Sequence, residues 1–428
     1  MKTLLKRLAR HGAVALAGLS LQLLAGPGLA LADEPPAAAP AAPAAPAAPA
    51  PAAEAPPQIL GFDFTGYVDV GYSDFTTGKG TFASGAHART FDWENGVGSV
   101  QNIDLQLQKT PDSGWGGLID LSLGKDADTI HAYGTVDKDK GPYFADTAAD
   151  GTKPAQTYSD VTQLYAYYAT GPLSFILGKY ATHAGQEVIK SRDDTNFSRS
   201  ILFGFAIPFT NTGLRATYKA TDTLNLLLGA NEGWDSITDS NGGTTGEFDW
   251  EWTPSKAFSF FGTYLSGPAR VAPYPQTAFD ALKTGDRSLI DVIFTYNATD
   301  ALQFVLNGDS GTQDKAPKLN GTIGTASWSG AALYVNYGVN DNWRLSVRGE
   351  SFNDADDYRT GALEAGKTSG PTWTEGTVTV AYMGIKKTEL RAEVRSDSAD
   401  QKIFSDADST KTPINSMMSI GLEGIYKF

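Results

Sequence analysis

NSMMSIGLEGIYKF, residues Asn415 to Phe428, alternates apolar and polar positions from Met418 onward. Ile420, Leu422, Gly424, Tyr426 and Phe428 share one face with Met418, while Ser419, Gly421, Glu423 and Lys427 share the other. This is the two-residue period of a strand with one greasy and one wet surface. On a soluble sheet, an aromatic at position 428 with no polar residue behind it would leave a sticky edge. The pattern is satisfied when the strand closes a barrel by pairing with the first strand and turns its even-numbered face to lipid.

The same rhythm recurs from Ile59 onward: about ten residues of alternation, a tight turn, about ten more, then a long polar connection. Leu60 to Tyr72 sets Leu60, Phe62, Phe64, Val68, Val70 and Tyr72 against Asp63, Thr65, Tyr67 and Asp69. Further strands are read at 100–109, from Trp115, at 161–169, 173–179, 214–219 and 224–230, around Phe248 to Trp252, from Phe258, and at 288–296, 302–308, 331–339, 343–351, 378–382 and 388–396. The strand at Asn415 to Phe428 makes sixteen. Tight turns such as Pro111-Asp112-Ser113-Gly114 and Asn340-Asp341-Asn342 carry the residues that turn geometry demands. Long connections such as 125–159 and 180–212 alternate with them. A soluble sandwich has no reason to sort its loops this way. A membrane barrel has short turns on one rim, long loops on the other and an even strand number. Trp115, Trp250, Trp252, Trp343, Tyr382, Tyr426 and Phe428 fall near strand ends, where interfacial aromatic girdles belong.

Residues 1–32 carry Lys2, Lys6, Arg7 and Arg10, then a short apolar run ending in Ala30-Leu31-Ala32, the pattern of a cleaved secretory signal peptide. Residues 33–57 are a Pro/Ala tract with almost nothing to bury, read as an extended, disordered linker. Removing the signal takes away four basic and no acidic residues, so the formal charge moves from −14 to −18. So acidic a chain is not expected to bind nucleic acid. The absence of cysteine excludes disulfides and thiolate metal sites. No run of about 18 apolar residues follows the signal, which excludes helical membrane spans but not strands.

The expected architecture is therefore all-β, a 16-stranded antiparallel transmembrane β-barrel over 58–428, in contact with outer-membrane lipid. Sixteen strands leave an aqueous lumen where eight would be filled by side chains. The off-phase residues Arg215 and Lys219, then Arg344, Arg348 and Glu350, then Glu389, Arg391, Glu393 and Arg395 are the expected polar lining. Such a wall suits passive diffusion of small hydrophilic solutes or ions, and rows of opposite charge set up a field that screens them. Arg391 and Arg395 could instead pair with Glu389, Glu393 or Glu350 and hold strands together.

The terminal Phe428 with Tyr426 two residues before it is similar to the assembly signal of bacterial outer-membrane barrels. Gly178 to Asp235 resembles the beta-barrel porin 2 family of Gram-negative outer membranes. The residues that carry the resemblance are Gly185-Gln186-Glu187, Asn196-Phe197-Ser198-Arg199, Pro208 with Thr212, Gly213 and Arg215, and Asn231 to Asp235. The resemblance implies a porin-like channel with no catalytic residues. By analogy with trimeric general porins, it implies a homotrimer and a third long loop, 180–212, folded into the lumen as a constriction; the other reading of that loop is an external cap over the mouth. Glu187, Arg192, Asp193 and Asp194 would then sit at the narrowing, with the acids facing the arginines of 344–348 and 391–395.

Other chemistries find less support. Past the signal only His87, His131 and His183 could act as a base, and no motif places a serine hydroxyl beside them. The acidic runs Asp137 to Gly141 and Asp397, Asp400, Asp406 and Asp408 offer oxygen donors without EF-hand spacing, and read as solvated loop acids. No cofactor or metal is expected. A non-conducting adhesive barrel and an outer-membrane barrel enzyme are the readings from other classes.

Overall fold

Strands that alternate in polarity cannot bury both faces in one core, so they curl until the last pairs with the first. The computed structural model describes residues 56–84, 87–132, 158–238, 243–269, 285–319, 321–408 and 411–428. The signal peptide, most of the Pro/Ala tract and the acids at 137–141 lie outside the described residues. Among the described residues sixteen antiparallel strands close the barrel, and a two-residue strand, Gln58–Ile59, folds back on the start of the first of them. They are β1 (Phe62–Thr77), β2 (Val97–Lys109), β3 (Gly114–Leu123), β4 (Ser159–Thr170), β5 (Leu173–Ala181), β6 (Thr210–Lys219), β7 (Leu224–Asn231) and β8 (Thr245–Ser255). After these come β9 (Phe258–Ala269), β10 (Gly285–Asn297), β11 (Leu302–Pro317), β12 (Ile323–Asn340), β13 (Trp343–Asn353), β14 (Thr372–Ile385), β15 (Thr388–Ala399) and β16 (Ser416–Lys427).

The closing ladder sets Leu422 opposite Tyr72 and Tyr426 opposite Val68. Phe428 completes it: its N–H donates to the Gly66 carbonyl at 3.0 Å, and its carbonyl accepts from the Gly66 N–H at 3.2 Å. Gly66 has to be glycine, because a Cβ there would meet the Phe428 ring at 2.6 Å and also strike the Asp104 carbonyl. The terminal aromatic thus sits over a notch in the first strand.

Around the middle of the barrel, Leu164, Leu228, Val292, Leu306, Leu333, Val347, Val378, Leu390 and Leu422 are exposed on the outer face. Aromatic pairs mark the short-turn rim, among them Trp343–Tyr382 at 4.8 Å and Phe258–Tyr296 at 5.0 Å between centroids. Toward the long-loop rim the polarity inverts. Phe75, Trp328, Phe352, Trp373 and Met417 point inward and are buried, while Thr76, Ser329, Ser351, Thr374 and Ser416 point outward and are exposed. There the outer face stands in water, and the inner face packs on an apolar cluster from the loops. Phe82, Phe91, Phe203, Phe205, Phe209, Trp234, Ile403 and Phe404 belong to that cluster, with Phe82 edge-on to Trp373 at 5.6 Å.

The inversion explains one departure from the sequence reading. The connection expected at 309–330 is mostly strand: β11 runs on to Pro317, β12 starts at Ile323, and only five positions, 318–322, separate them. With Trp328 and Ala326 inside and Ser329 outside, the segment lacks the lipid-facing phase that marks the lower strands.

Candidate functional site: the lumen and the loop across it

The connection from β5 to β6, residues 182–209, turns inward and runs through the lumen. It has little regular structure, a 3-10 turn at Ser191–Asp193 and a π turn at Leu202–Ala206, so most of its backbone groups need side-chain partners. The wall supplies them. Glu393 accepts from the N–H groups of Phe197 (2.7 Å) and Ser198 (3.0 Å), and Glu350 accepts from those of Ile201 (2.6 Å) and Leu202 (3.1 Å). Arg391 donates to the carbonyls of Ser191, Asp194 and Asn196, Arg395 to that of Arg199, and Arg348 to that of Ser198. Trp328 donates through Nε1 to the Ala206 carbonyl at 3.0 Å. From the other wall, the Lys190 ammonium reaches Asp104 on β2 (3.1 Å) and Asp120 on β3 (3.0 Å). The N–H of Gln186 donates to Asn307 on β11. Anchors on β2, β3, β11, β13 and β15 mean that the loop spans the lumen.

The alternating arginines of β13 and β15 are held as ion pairs under the loop. Arg348 pairs with Glu375 at 2.7 Å and with the loop's Glu187 at 2.5 Å. Arg391 lies between Glu389 (2.7 Å) and Glu423 (2.9 Å), and Arg395 pairs with Asp397 at 2.7 Å. Arg344 and Lys427 also converge on Glu389. Arg348, Arg391 and Arg395 are no more than 2% exposed, so loop and carboxylates cover them. Arg215 is buried against Glu247 at 2.6 Å. Lys219 lies at the turn end of β6, exposed and paired with Asp222.

Of the loop acids, Glu187 meets an arginine of the wall. The Asp194 carboxylate turns back to Arg199 of its own loop at 3.0 Å, and only its backbone carbonyl meets Arg391. Asp193 is exposed and pairs with Arg192, whose guanidinium lies over the Tyr67 ring at 5.4 Å. Asp397 differs from its reading as a solvated loop acid: it ends the charged run of β15, fully buried between Arg395 and Arg89. The two-residue spacing Glu389, Arg391, Glu393, Arg395, Asp397 puts it on the same inner face, a signal the sequence does carry. The pairing of Lys190 with Asp104 and Asp120 bridges segments far apart in the chain, and no local pattern announces it.

On the β8–β10 side the loop stands off the wall. A cavity of about 500 Å³ opens there, lined by His183, Gly185, Gln186, Glu251, Phe261, Ile293 and Thr295 among others. Gly185 makes the bend beside it at φ +93°, where an added Cβ would meet Ile207 at 2.6 Å. His183 is wedged between Asp249 (Nδ1, 3.0 Å) and Arg215 (Nε2, 3.0 Å). A guanidinium can only donate, so Nε2 accepts from Arg215 and the ring proton sits on Nδ1, where it donates to Asp249.

The OmpL-like beta-barrel porin-2 family model matches residues 61–428. The chain belongs to that family. Outer-membrane barrels of known structure share its fold. The outer membrane channel DcaP of Acinetobacter baumannii is 13% identical, with a TM-score of 0.54 over 88% of this chain and 100% of the other. An anion-selective porin from Comamonas acidovorans is 10% identical, with a TM-score of 0.54 over 86% of this chain and 99% of that one. OmpT of Vibrio cholerae, in a trimer form, is 9% identical, with a TM-score of 0.51 over 86% and 99%. At such identities the likeness establishes the fold alone. No curated protein matches. This beta-barrel porin-2 member is an outer-membrane channel protein, with its apolar band in lipid and its long loops on one rim.

Proposed function

We propose that the protein is a passive, water-filled channel for small hydrophilic solutes, narrowed by the third loop at 182–209. The observation that carries this reading is the loop's path. It is tied to opposite walls through Lys190, Glu187 and the backbone of 191–202, yet leaves a cavity against β8–β10. A plug meant to seal the lumen would fill that side as well. In this reading Arg344, Arg348, Glu350, Arg391, Glu393 and Arg395 fasten the loop to the wall, Glu389 holds Arg344 and Arg391 in place, and Arg215 with His183 borders the remaining passage. His183 has both ring nitrogens engaged, which favours a positioning role over that of a catalytic base. We assign no reaction to the barrel.

Reconstitution into planar bilayers tests the reading. Stepwise, unitary conductance increments are expected, and removal of 186–202 should enlarge each step. A folded barrel that gives no steps would instead favour a surface-structural role. The trimer form known for OmpT supports a homotrimer here, to be checked by cross-linking in native membranes.

A further inference from the structure

The inner wall carries one feature that loop anchoring does not use. In the antiparallel ladders Asp249 of β8 stands opposite Thr263 of β9, Thr263 opposite Asp291 of β10, and Asp291 opposite Asp309 of β11. These four residues form one transverse row, with neighbours about 4.8 Å apart in the strand-to-strand direction. All four point inward beneath the third loop and are at most 5% exposed. Their oxygens are largely unspent. Asp249 Oδ1, Thr263 Oγ1, Asp291 Oδ1 and both carboxylate oxygens of Asp309 meet no hydrogen-bond donor. The contacts that exist come from neutral groups: His183 at Asp249, and the Asn307 amide at Asp291 (2.5 Å). Among the described residues no lysine or arginine forms an ion pair with Asp291 or Asp309.

The facing wall is different. Arg348, Thr377 and Arg395 form a comparable row across β13–β15, but Glu187, Glu375 and Asp397 answer each guanidinium. The basic row is neutralised within the protein and the acidic row is not. Carboxylates in a desolvated wall with no basic partner are costly unless a proton or a cation neutralises them, and a row beside a wet passage has access to both. Thr263 strengthens the case: its hydroxyl is fully buried between two of the acids and has no partner outside the row, so it adds a neutral oxygen donor. Carboxylate and hydroxyl oxygens are the donors that hard cations take. The cavity lies one inward position from the row: Glu251, Phe261 and Ile293 in its lining are the next inward residues on β8, β9 and β10, and His183, also in the lining, contacts Asp249.

We propose that Asp249, Thr263, Asp291 and Asp309 form a cation site on the wall of the passage, and that the channel consequently favours small inorganic cations over anions. The assignment rests on the channel reading above. The row is spread over four strands, so it acts as successive oxygen donors along the wall and not as one closed coordination sphere.

The test compares the full-length protein with Asp291→Asn/Asp309→Asn in planar bilayers, using reversal potentials in a potassium chloride gradient. Both proteins are first shown to be folded by heat-modifiable migration. The parent channel should pass potassium several-fold better than chloride, and the double variant should lose most of that preference while still conducting. Millimolar calcium should reduce the parent's conductance more than the variant's. Because the whole chain is acidic, a preference shared equally by parent and variant would overturn the assignment to this row. So would a parent channel that conducts without preferring cations. If the parent conducts nothing, the channel reading fails by itself. Calorimetric titration of calcium into the detergent-folded barrel then decides the site: heat that disappears in the double variant supports it, and equal or absent heat in both removes it.

Discussion

Arg348 is the side chain on which the loop's position most depends. It is fully buried and joins Glu375 of the next strand, Glu187 of the loop and the Ser198 carbonyl. A buried pair broken on one side leaves an uncompensated charge and typically costs about 3–5 kcal/mol. Arg348→Met should therefore free Glu187 and loosen 187–198 without unseating strands that keep their backbone ladders. Larger unitary steps with more open-channel noise are expected, and steps identical to the parent's would show that Glu187 is not a tether. Gly66 tests a different residue-scale claim. The notch it leaves for Phe428 admits no side chain, so Gly66→Val should lower the yield of folded barrel in outer membranes, as should Phe428→Ser. If heat-modifiable protein stays at the parent level in both, the terminal aromatic is not docking on the first strand.

At the scale of elements, the lower barrel was legible in the sequence and the upper barrel less so. In mid-membrane, each strand has lipid on one side and polar groups on the other, so a two-residue period reads true, as in Val347, Arg348, Gly349 and Glu350. Above it, water lies outside and the apolar cluster inside, so Trp328 and Phe352 reverse the phase and the β11–β12 hairpin reads as loop. The third loop's length suggested a place in the lumen, but its partners are set by long-range geometry. Glu393 and Glu350 looked like wall lining and are acceptors for loop backbone. The apolar lid also makes a prediction about pH. The lid is the apolar loop cluster with three acids packed beside it: Asp126, one helical turn before Ile130, Asp235, which accepts from the Phe209 N–H, and Asp354, which accepts from the Tyr358 N–H. Burial pushes Asp126 up to about 7, and Asp235 and Asp354 up to about 6, against about 3.9 in an unfolded chain. Between about pH 4 and 7 the folded lid binds more protons than the unfolded one, so its stability falls as pH rises through that window. Melting of the lid, followed by near-UV circular dichroism of Trp234, Trp328 and Trp373, should have a higher midpoint at pH 5 than at pH 8. A midpoint that rises with pH would mean these acids are stabilised as carboxylates.

For the whole molecule, the polarity inversion fixes which rim leaves the membrane. Strands β11 and β12 extend well past their lipid-facing stretch, which ends near Leu306 and Leu333, and carry Ser310, Thr312, Ser327 and Ser329 on the outside. The opposite rim ends in aromatic pairs at interfacial depth, and both the first strand's start and the last strand's end lie there, at Phe64 and Phe428 with ring centroids 6.0 Å apart. Long loops belong to the cell surface and short turns to the periplasm in barrels of this class. An epitope inserted at 318–322 should thus be bound by antibody on intact cells. The same epitope in the 298–301 turn should be bound only after the outer membrane is opened. Both insertions lie in short connections between paired strands, where added residues cost little more than loop closure. Labelling of the 298–301 insertion on intact cells would place the apolar lid, the third loop and the acidic row in the opposite order along the path of a solute entering the cell.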